Sequence, residues 1–395
     1  MRRQVLTLAA AQAIFQTAST LVMTVGGLAG AMLSPEPGLA TVPIASMFLG
    51  TAALTFPASL WMARVGRRPG FVLGAVLGVA GGTVAAAGIF VGSLWILALG
   101  TFLVGGYQAF AQFYRFAAGE AANDAFRPKA IALVLAGGVV AAFLGPWLAR
   151  LGGPWLDQTY VGSFLLLSLV SLIGAGALMT LRAPPPAETS AEGPGRPWRV
   201  IVSQPTYLAA LFGAATGYGV MILAMAATPI AMVHHNHSLG AASTVIQFHV
   251  LGMFAPSFFS GALIARFGVR RVMLAGVVLL AGHVLVAASG IGFGSFVTAL
   301  VLLGVGWNFL YVGGTTLLTS TYTAAERGRA QATNDMTIFA VGLASSLAAG
   351  ALVETLGWRD LNLMLLPWLA AAALVLIWQG FAARRGTAAP VEAKS

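Results

Sequence analysis

Cysteine is absent from the 395-residue sequence, which excludes disulfides, thiolate metal ligands and cysteine nucleophiles. Charged residues make up only 8% of the chain, against roughly 25% in soluble domains. The apolar stretches contain no pair of Asp or Glu, and the sequence has neither a phosphate-binding glycine loop nor a nucleophile elbow. We therefore exclude a soluble globular protein and expect neither an enzyme nor a bound cofactor.

Long apolar runs dominate the sequence, since 58% of the residues are hydrophobic. A helix needs about 20 apolar residues to cross a membrane, so a chain of this length has room for roughly twelve crossings. Charges, Gly or Pro clusters and polar turns bound twelve runs: 5–33, 39–63, 70–91, 93–116, 129–151, 159–181, 207–233, 240–266, 272–290, 292–322, 330–353 and 358–381. The sequence predicts an all-α membrane protein with twelve transmembrane helices.

A polar break divides these runs into six and six. It holds three consecutive prolines from Pro184 and a Gly-Pro-Gly sequence from Gly193, which is the composition of a linker. We predict an N-terminal six-helix half over 1–181, a cytoplasmic linker over 182–206, and a C-terminal six-helix half with a short cytoplasmic tail over 207–395.

The basic residues indicate the orientation. With the N-terminus inside, all but three of the 21 Lys and Arg residues fall in cytoplasmic segments, the exceptions being Arg115, Arg150 and Arg359. This asymmetry follows the positive-inside rule and predicts that both termini are cytoplasmic. Membrane insertion thus explains the net charge of +10, and we expect the lipid bilayer rather than nucleic acid as a partner.

A short basic motif occurs once in each half. The sequence from Ala63 to Arg68 recurs from Ala265 to Arg271, as expected after a duplication. Two six-helix repeats are typical of a transporter whose substrate binds between the halves near mid-membrane. Six arginines of the two copies are expected to act in topology or gating: Arg64, Arg67, Arg68, Arg266, Arg270 and Arg271.

The first copy resembles the Gly-x-x-x-Asp-Arg-x-Gly-Arg-Arg signature of the major facilitator superfamily. The matching positions are Arg64, Gly66, Arg67 and Arg68. Ser59 and Ala63 replace the family's first Gly and its Asp, so the acid that steadies the outward-open state in that family is missing here. The resemblance covers nearly the whole chain and implies two pseudo-symmetric halves that transport by alternating access.

Two pairs of side chains stand four residues apart in the seventh and eighth runs: Met221 with Met225, and His249 with Met253. This spacing puts each pair on one helix face, about 6 Å apart along the axis. In antiparallel neighbouring helices, Met225 lies level with His249 and Met221 with Met253. Thioethers and an imidazole suit Cu(I), so the pattern predicts a mid-membrane copper site, with gap-filling core methionines as the alternative.

These paired motifs resemble those of the CcoA-like bacterial copper importers, a subfamily that also contains riboflavin transporters. The resemblance implies inward transport of copper, expected as Cu(I), from the periplasm across the bacterial inner membrane, to supply cytochrome oxidase assembly. Copper would then be the transported substrate and not a cofactor. No obligate protein partner is implied.

Several further residues are secondary candidates. At the repeat offset Met225 corresponds to Met23 and His249 to Met47, so Met23 and Met47 are expected to face the site from the first half. Met232 shares a helix face with Met225. Three histidines of the outer turn are candidates for collecting copper outside: His234, His235 and His237.

Polar side chains within the runs offer a different interpretation. Asp335, just inside the eleventh run, is a candidate for gating or coupling. Polar and aromatic residues of the fourth and tenth runs would line the cavity if the substrate were riboflavin or another small organic solute: Tyr107, Gln108, Gln112, Arg115, Trp307, Asn308 and Tyr311. Interhelical hydrogen bonding is the alternative explanation of these residues.

Overall fold

The computed structural model describes residues 2–34, 36–122, 127–181, 195–323 and 325–387. In these ranges the chain folds into helices joined by short turns. The first half contains α1 (Arg2–Leu33), α2 (Val42–Val65), α3 (Arg67–Phe90), α4 (Leu94–Ala111), α5 (Tyr114–Glu120), α6 (Arg127–Gly152) and α7 (Val161–Met179), with a 3-10 turn at Pro37–Leu39.

The second half begins with α8 (Trp198–Val202), a single short turn. The helices that follow are α9 (Pro205–His234), α10 (Leu239–Phe254), α11 (Ser257–Phe267), α12 (Val269–Ser289), α13 (Phe293–Leu318), α14 (Arg327–Leu363) and α15 (Leu366–Thr387). Residues 182–194 of the predicted linker lie outside the described residues, and 198–202 and 205–206 are helical.

Within the described ranges, ten helical stretches are long and apolar enough to cross a membrane, and α10 with α11 forms an eleventh, bent by 40°. One stretch, Arg327–Phe381, has 55 residues, or about 80 Å of helix, which far exceeds a bilayer core of roughly 30 Å. Gly357 interrupts it with a non-helical backbone (φ 74°, ψ 173°). The two parts on either side of Gly357 account for the predicted eleventh and twelfth crossings.

Two predicted runs are broken in the structure. The fourth, expected to be continuous over 93–116, divides into α4 and α5 around Gln112. The eighth, expected over 240–266, divides at Pro256, which has no N–H to continue the ladder. Asn308 holds this second break, since its Nδ2 donates to the carbonyl of Met253 at 2.7 Å and to Ser257 Oγ at 2.8 Å.

The repeated basic motif forms the same turn twice. Gly66 separates α2 from α3 with φ 93°, and Gly268 separates α11 from α12 with φ 85°. Each glycine N–H donates at 2.9 Å to a carbonyl four residues back, Met62 in one copy and Ile264 in the other. Only glycine adopts this backbone without strain, so the duplication extends to backbone conformation.

Packing within and between the halves leaves a central space. In the first half α1 packs on α6, and α3 packs on α4 and α7; in the second, α13 packs on α9, α10 and α12. The halves meet where α2 packs on α14 and where α6 packs on α10 and α11. A cavity lies between these two seams.

Candidate substrate site

The central cavity is lined by both halves. Residues of α1, α2, α4, α5 and α6 face residues of α9, α10 and α13 across it. In this conformation its volume is about 80 Å³.

Five methionines line the cavity. Met23 and Met47 come from the first half, and Met221, Met225 and Met253 come from the second. The structure thus brings together three of the four predicted copper ligands and both methionines that the repeat placed opposite them. Their thioethers form a soft, uncharged part of the cavity surface.

His249 is placed differently from the prediction. Its side chain is fully buried and does not line the cavity; its Nδ1 pairs with the carbonyl of Leu300 at 2.8 Å, and its Nε2 has no partner among the described residues. Because α13 packs directly against α10, the imidazole turns toward that helix rather than toward the methionines. The sequence predicts how deep His249 lies along α10, but it does not predict the direction around the helix axis in which the side chain points. That direction decides which neighbour the side chain contacts.

The remaining copper candidates also lie away from the cavity. Met232 is completely buried but does not line it. His234 is exposed and His235 half-buried, while His237 pairs through Nε2 with the carbonyl of Ile291 at 2.8 Å and packs against Phe296. The three histidines therefore lie at the turn between α9 and α10.

An aromatic cluster forms one wall of the cavity. Trp307 and Tyr311 are four residues apart on α13 and stack with ring centroids 4.9 Å apart and planes at 14°. Tyr218 of α9 lies 6.4 Å from Trp307 and 6.2 Å from Tyr311, and Phe254 meets Trp307 edge-on at 5.8 Å. Such a wall offers a planar solute a stacking surface.

A buried ion pair joins the halves at one side of the cavity. Arg115 of α5 donates through Nη2 to both carboxylate oxygens of Asp335 on α14, at 2.9 and 3.2 Å, and through Nη1 to the hydroxyl of Tyr311. Asn334 donates to the same carboxylate at 2.9 Å. Arg115 lines the cavity, so its positive charge is already neutralised where a solute would meet it.

Four polar residues of α1 line the opposite wall: Gln12, Gln16, Ser19 and Thr20. These four residues were not predicted from the sequence. Their spacing of four, three and one residues within an apolar helix is the pattern that indicates one polar face. Tyr218, which shares the face of α9 that carries Met221 and Met225, was not predicted either.

The residues predicted for an organic substrate divide into two groups. Gln108, Gln112, Arg115, Trp307 and Tyr311 line the cavity. Tyr107 and Asn308 do not, because Tyr107 packs edge-on against Phe15 at 5.2 Å inside the first half and Asn308 holds the break between α10 and α11.

Ionic contacts close the arginine-rich end of the bundle, the end that carries the two basic motifs. Glu120 of the first half accepts from Arg67 at 2.9 Å and from Arg327 of the second half at 3.2 Å. Ser59 donates to the carbonyl of Gly328 at 3.4 Å across the same seam. Arg64, Arg68, Arg266 and Arg271 are exposed, and Arg270 is half-buried.

A second ion pair fastens the segment before α9 to the turn before α14. Arg196 contacts Glu326 through its backbone N–H and its guanidinium at 2.7–2.8 Å, and Thr323 N–H donates to the same carboxylate at 2.9 Å. These donors, led by the Arg196 guanidinium, hold the pKa of Glu326 well below its usual range.

The chemistry of the cavity is neutral, soft and aromatic. Within the described ranges, no group of three or more His, Asp or Glu side chains is arranged to hold a metal ion. Amides, hydroxyls and thioethers can instead contact an uncharged solute, and stacked rings can contact a planar one.

Known proteins resemble this chain over most of its length. The profile of the Major Facilitator Superfamily matches residues 8–254 and 210–394. A protein of Brucella anthropi named riboflavin transporter RfnT is 40% identical over 379 residues, covering 95% of both chains. YdeG of Bacillus subtilis, described as an uncharacterized transporter of the same superfamily, is 28% identical over 361 residues, covering 87% of this chain and 84% of its own.

Two solved structures share the fold. The outward conformation of FucP superposes with a TM-score of 0.68 at 13% identity, covering 95% of this chain and 98% of FucP. A point variant of FucP, the E. coli fucose:proton symporter, superposes with a TM-score of 0.71 and the same identity and coverage. At this identity the likeness bears on the fold alone, and it agrees with the predicted major facilitator architecture.

Proposed function

Because the chain belongs to the Major Facilitator Superfamily, we propose that this multi-pass membrane transporter carries riboflavin or a closely related flavin by alternating access. The carriers of this superfamily are in general not enzymes, in line with the absence of catalytic motifs. Riboflavin was the alternative substrate at the level of sequence. It now takes precedence over copper because the 40% identical relative is named as a riboflavin transporter.

One observation carries the proposal: the stacked pair Trp307 and Tyr311 faces the cavity that both halves line. An isoalloxazine ring is planar and aromatic, so it can lie against such a surface, where stacking contributes on the order of 1 kcal/mol beyond area burial. Gln108 and Gln112 lie in the same cavity and offer their amide N–H donors to the polar edge of the ring, while their Oε1 atoms accept from Thr51 and Tyr311 at 3.3 Å.

Location and direction are part of the proposal. We place the chain in a bacterial inner membrane with both termini and the arginine-rich end in the cytoplasm, because the basic residues concentrate there. Import then begins at the end that carries the histidine turn. In this conformation the contacts of Glu120 and Ser59 close the opposite end.

Copper is the second candidate substrate, expected as Cu(I). The observation in its favour is that five methionines from both halves line the cavity, whereas His249 does not. No relative named above is described as a copper transporter, and thioethers also pack well against aromatic rings. The methionines are thus compatible with either substrate.

The test measures uptake of radiolabelled riboflavin and of radioactive copper by the same cells, with expression levels checked. Wild-type cells are expected to take up riboflavin above the empty-vector level, and Trp307→Ala is expected to lower riboflavin uptake at least tenfold. Copper uptake is expected to stay at the empty-cell level, in the Met225→Ala variant as well. Trp95→Ala is the matched control, because Trp95 is 68% exposed and lies away from the cavity. If the cells take up copper in a Met225-dependent way and take up no riboflavin, the substrate is copper and not riboflavin.

A further inference from the structure

The cavity wall formed by α1 is polar in an otherwise apolar helix. Gln12, Gln16, Ser19 and Thr20 lie at relative positions 0, 4, 7 and 8, which share one face and extend over about 12 Å along the axis. All four line the central cavity. α1 therefore presents a strip of amides and hydroxyls, here called the α1 polar strip.

The polar atoms of the α1 polar strip are open to the cavity. Within the described part of the chain, no hydrogen bond or ion pair joins these four side chains to another residue, and none of their polar atoms is fully buried without a partner, although Gln12 as a whole is only 7% and Ser19 only 4% exposed. Amides and hydroxyls that face the cavity in this way are available to a solute there. By contrast, Thr17 on another face of α1 donates to the carbonyl of Ala13 at 2.8 Å.

The two walls differ in chemistry and belong to different halves. The α1 polar strip is part of the first half, while Trp307 and Tyr311 stack on α13 of the second. Amides and hydroxyls both donate and accept, which matches a chain of several hydroxyl groups. The stacked rings match a planar ring system.

Resting on the proposed function, we propose that the α1 polar strip is the subsite for the polyhydroxylated chain of the substrate. The ring lies against Trp307 and Tyr311, and the chain extends toward Gln12 and Gln16. The solute thereby bridges the two halves, and neither half alone holds both of its parts. The substrate class is an uncharged planar ring that carries a polyol chain.

The charge of the cavity limits this class to uncharged solutes. Arg115 is the single cationic side chain that lines the described cavity, and Asp335 already pairs with it at 2.9 Å. A phosphate at the end of the polyol chain would enter the cavity without a free cation to neutralise it. The phosphorylated flavin FMN is thus expected to compete much more weakly than riboflavin.

The test compares three flavins in proteoliposomes. For riboflavin, the KM of uptake is measured. Lumiflavin and FMN are measured as inhibitors of that uptake; lumiflavin has the ring without the polyol chain. Gln16→Met keeps the side-chain length without the amide, and Ser19→Ala removes the hydroxyl. Each is expected to raise the KM for riboflavin roughly two- to tenfold, as expected for one neutral hydrogen bond, and to leave inhibition by lumiflavin unchanged.

The outcomes separate the inference from the function on which it rests. Thr17→Val is the matched control and should change neither the KM for riboflavin nor the inhibition by lumiflavin. Suppose that the wild type transports riboflavin and that Gln16→Met weakens the binding of riboflavin and lumiflavin equally. This result would overturn the subsite and leave the proposed function intact. FMN that inhibits as strongly as riboflavin would overturn the restriction to uncharged solutes. Absence of saturable riboflavin uptake by the wild type would overturn the function itself.

Discussion

Arg115 and Asp335 come from different halves, yet only 4% and 1% of their side chains are exposed. Two charges in such a place are costly, and their mutual attraction and hydrogen bonds offset that cost. Removal of one partner therefore leaves the other buried and unpaired. Replacement of both by apolar residues avoids this penalty.

We expect Asp335→Asn to destabilise the protein by about 3–5 kcal/mol, because the Arg115 guanidinium would lose its counter-charge in the interior. The double variant Arg115→Met with Asp335→Leu should recover most of that loss. Thermal unfolding in detergent measures both effects. Equal destabilisation by the single and double variants would show that the unpaired guanidinium is not the cause of the loss.

The individual residues of the site were only partly predictable. Met221, Met225 and Met253 line the cavity, and the four-residue spacing of Met221 and Met225 explains why these two share one face of α9. His249 shares the depth of the methionines but turns toward Leu300, since its orientation depends on which helix packs beside α10. No sequence period contains that information.

The number of membrane-crossing helices was predictable from the sequence, but the breaks within two of them were not. Apolar runs revealed the twelve crossings, because a membrane demands long uninterrupted hydrophobicity. The breaks at Gln112 and Pro256 were missed, since apolar residues continue on both sides of each break. Such breaks are stable here because other side chains satisfy the freed groups, as Asn308 does for the carbonyl of Met253.

Glycines set the distance between two helices of the first half. A Cβ on Gly105 of α4 would overlap the carbonyl oxygen of Met47 on α2, and one on Gly50 of α2 would overlap the carbonyl of Phe102. Both obstacles are backbone atoms, which cannot move aside as a flexible side chain can. The two helices therefore approach closely only while both positions lack a side chain.

Gly105→Ala is expected to lower stability by about 1–3 kcal/mol and to displace Met47 from the cavity wall. Gly176→Ala is the matched control, because nothing lies within 4 Å of a Cβ built at this helical position. It should be neutral, or stabilising by about 0.5–1 kcal/mol. Unfolding temperatures of the two variants, measured side by side, check the difference; equal values would mean that α2 and α4 separate without cost.

At the scale of the whole molecule, the halves are joined at the arginine-rich end by charges that the family signature did not reveal. Ala63 occupies the position of the signature's acid, whereas Glu120 of α5 provides a carboxylate between Arg67 and Arg327. The side chains of these partners are one-fifth to two-fifths exposed. Each ion pair therefore contributes at most about 1 kcal/mol to the stability of the closed end. Contacts this weak can hold one end closed and still allow it to open.

We expect Glu120→Gln to favour opening of this end, because Arg67 and Arg327 would then repel each other without a carboxylate between them. The chain has no cysteine, so Ser59→Cys introduces the single thiol at the closed seam. Its labelling by a membrane-impermeant maleimide should accelerate roughly two- to fivefold in the Glu120→Gln background. Glu354→Gln, at an exposed carboxylate without an ion pair in the described structure, should leave the rate unchanged; acceleration by both variants would point to a general loosening.

The pairing of Arg115 with Asp335 also has an electrical consequence. A membrane potential acts on net charge that moves through it, with roughly 2.3 kcal/mol for each elementary charge and 100 mV. The cavity's only lining guanidinium within the described residues is already neutralised, and an uncharged solute adds nothing to this balance. An uncharged solute would therefore displace no charge across the field when it is loaded and released. Any current recorded during its transport would report an ion that travels with it.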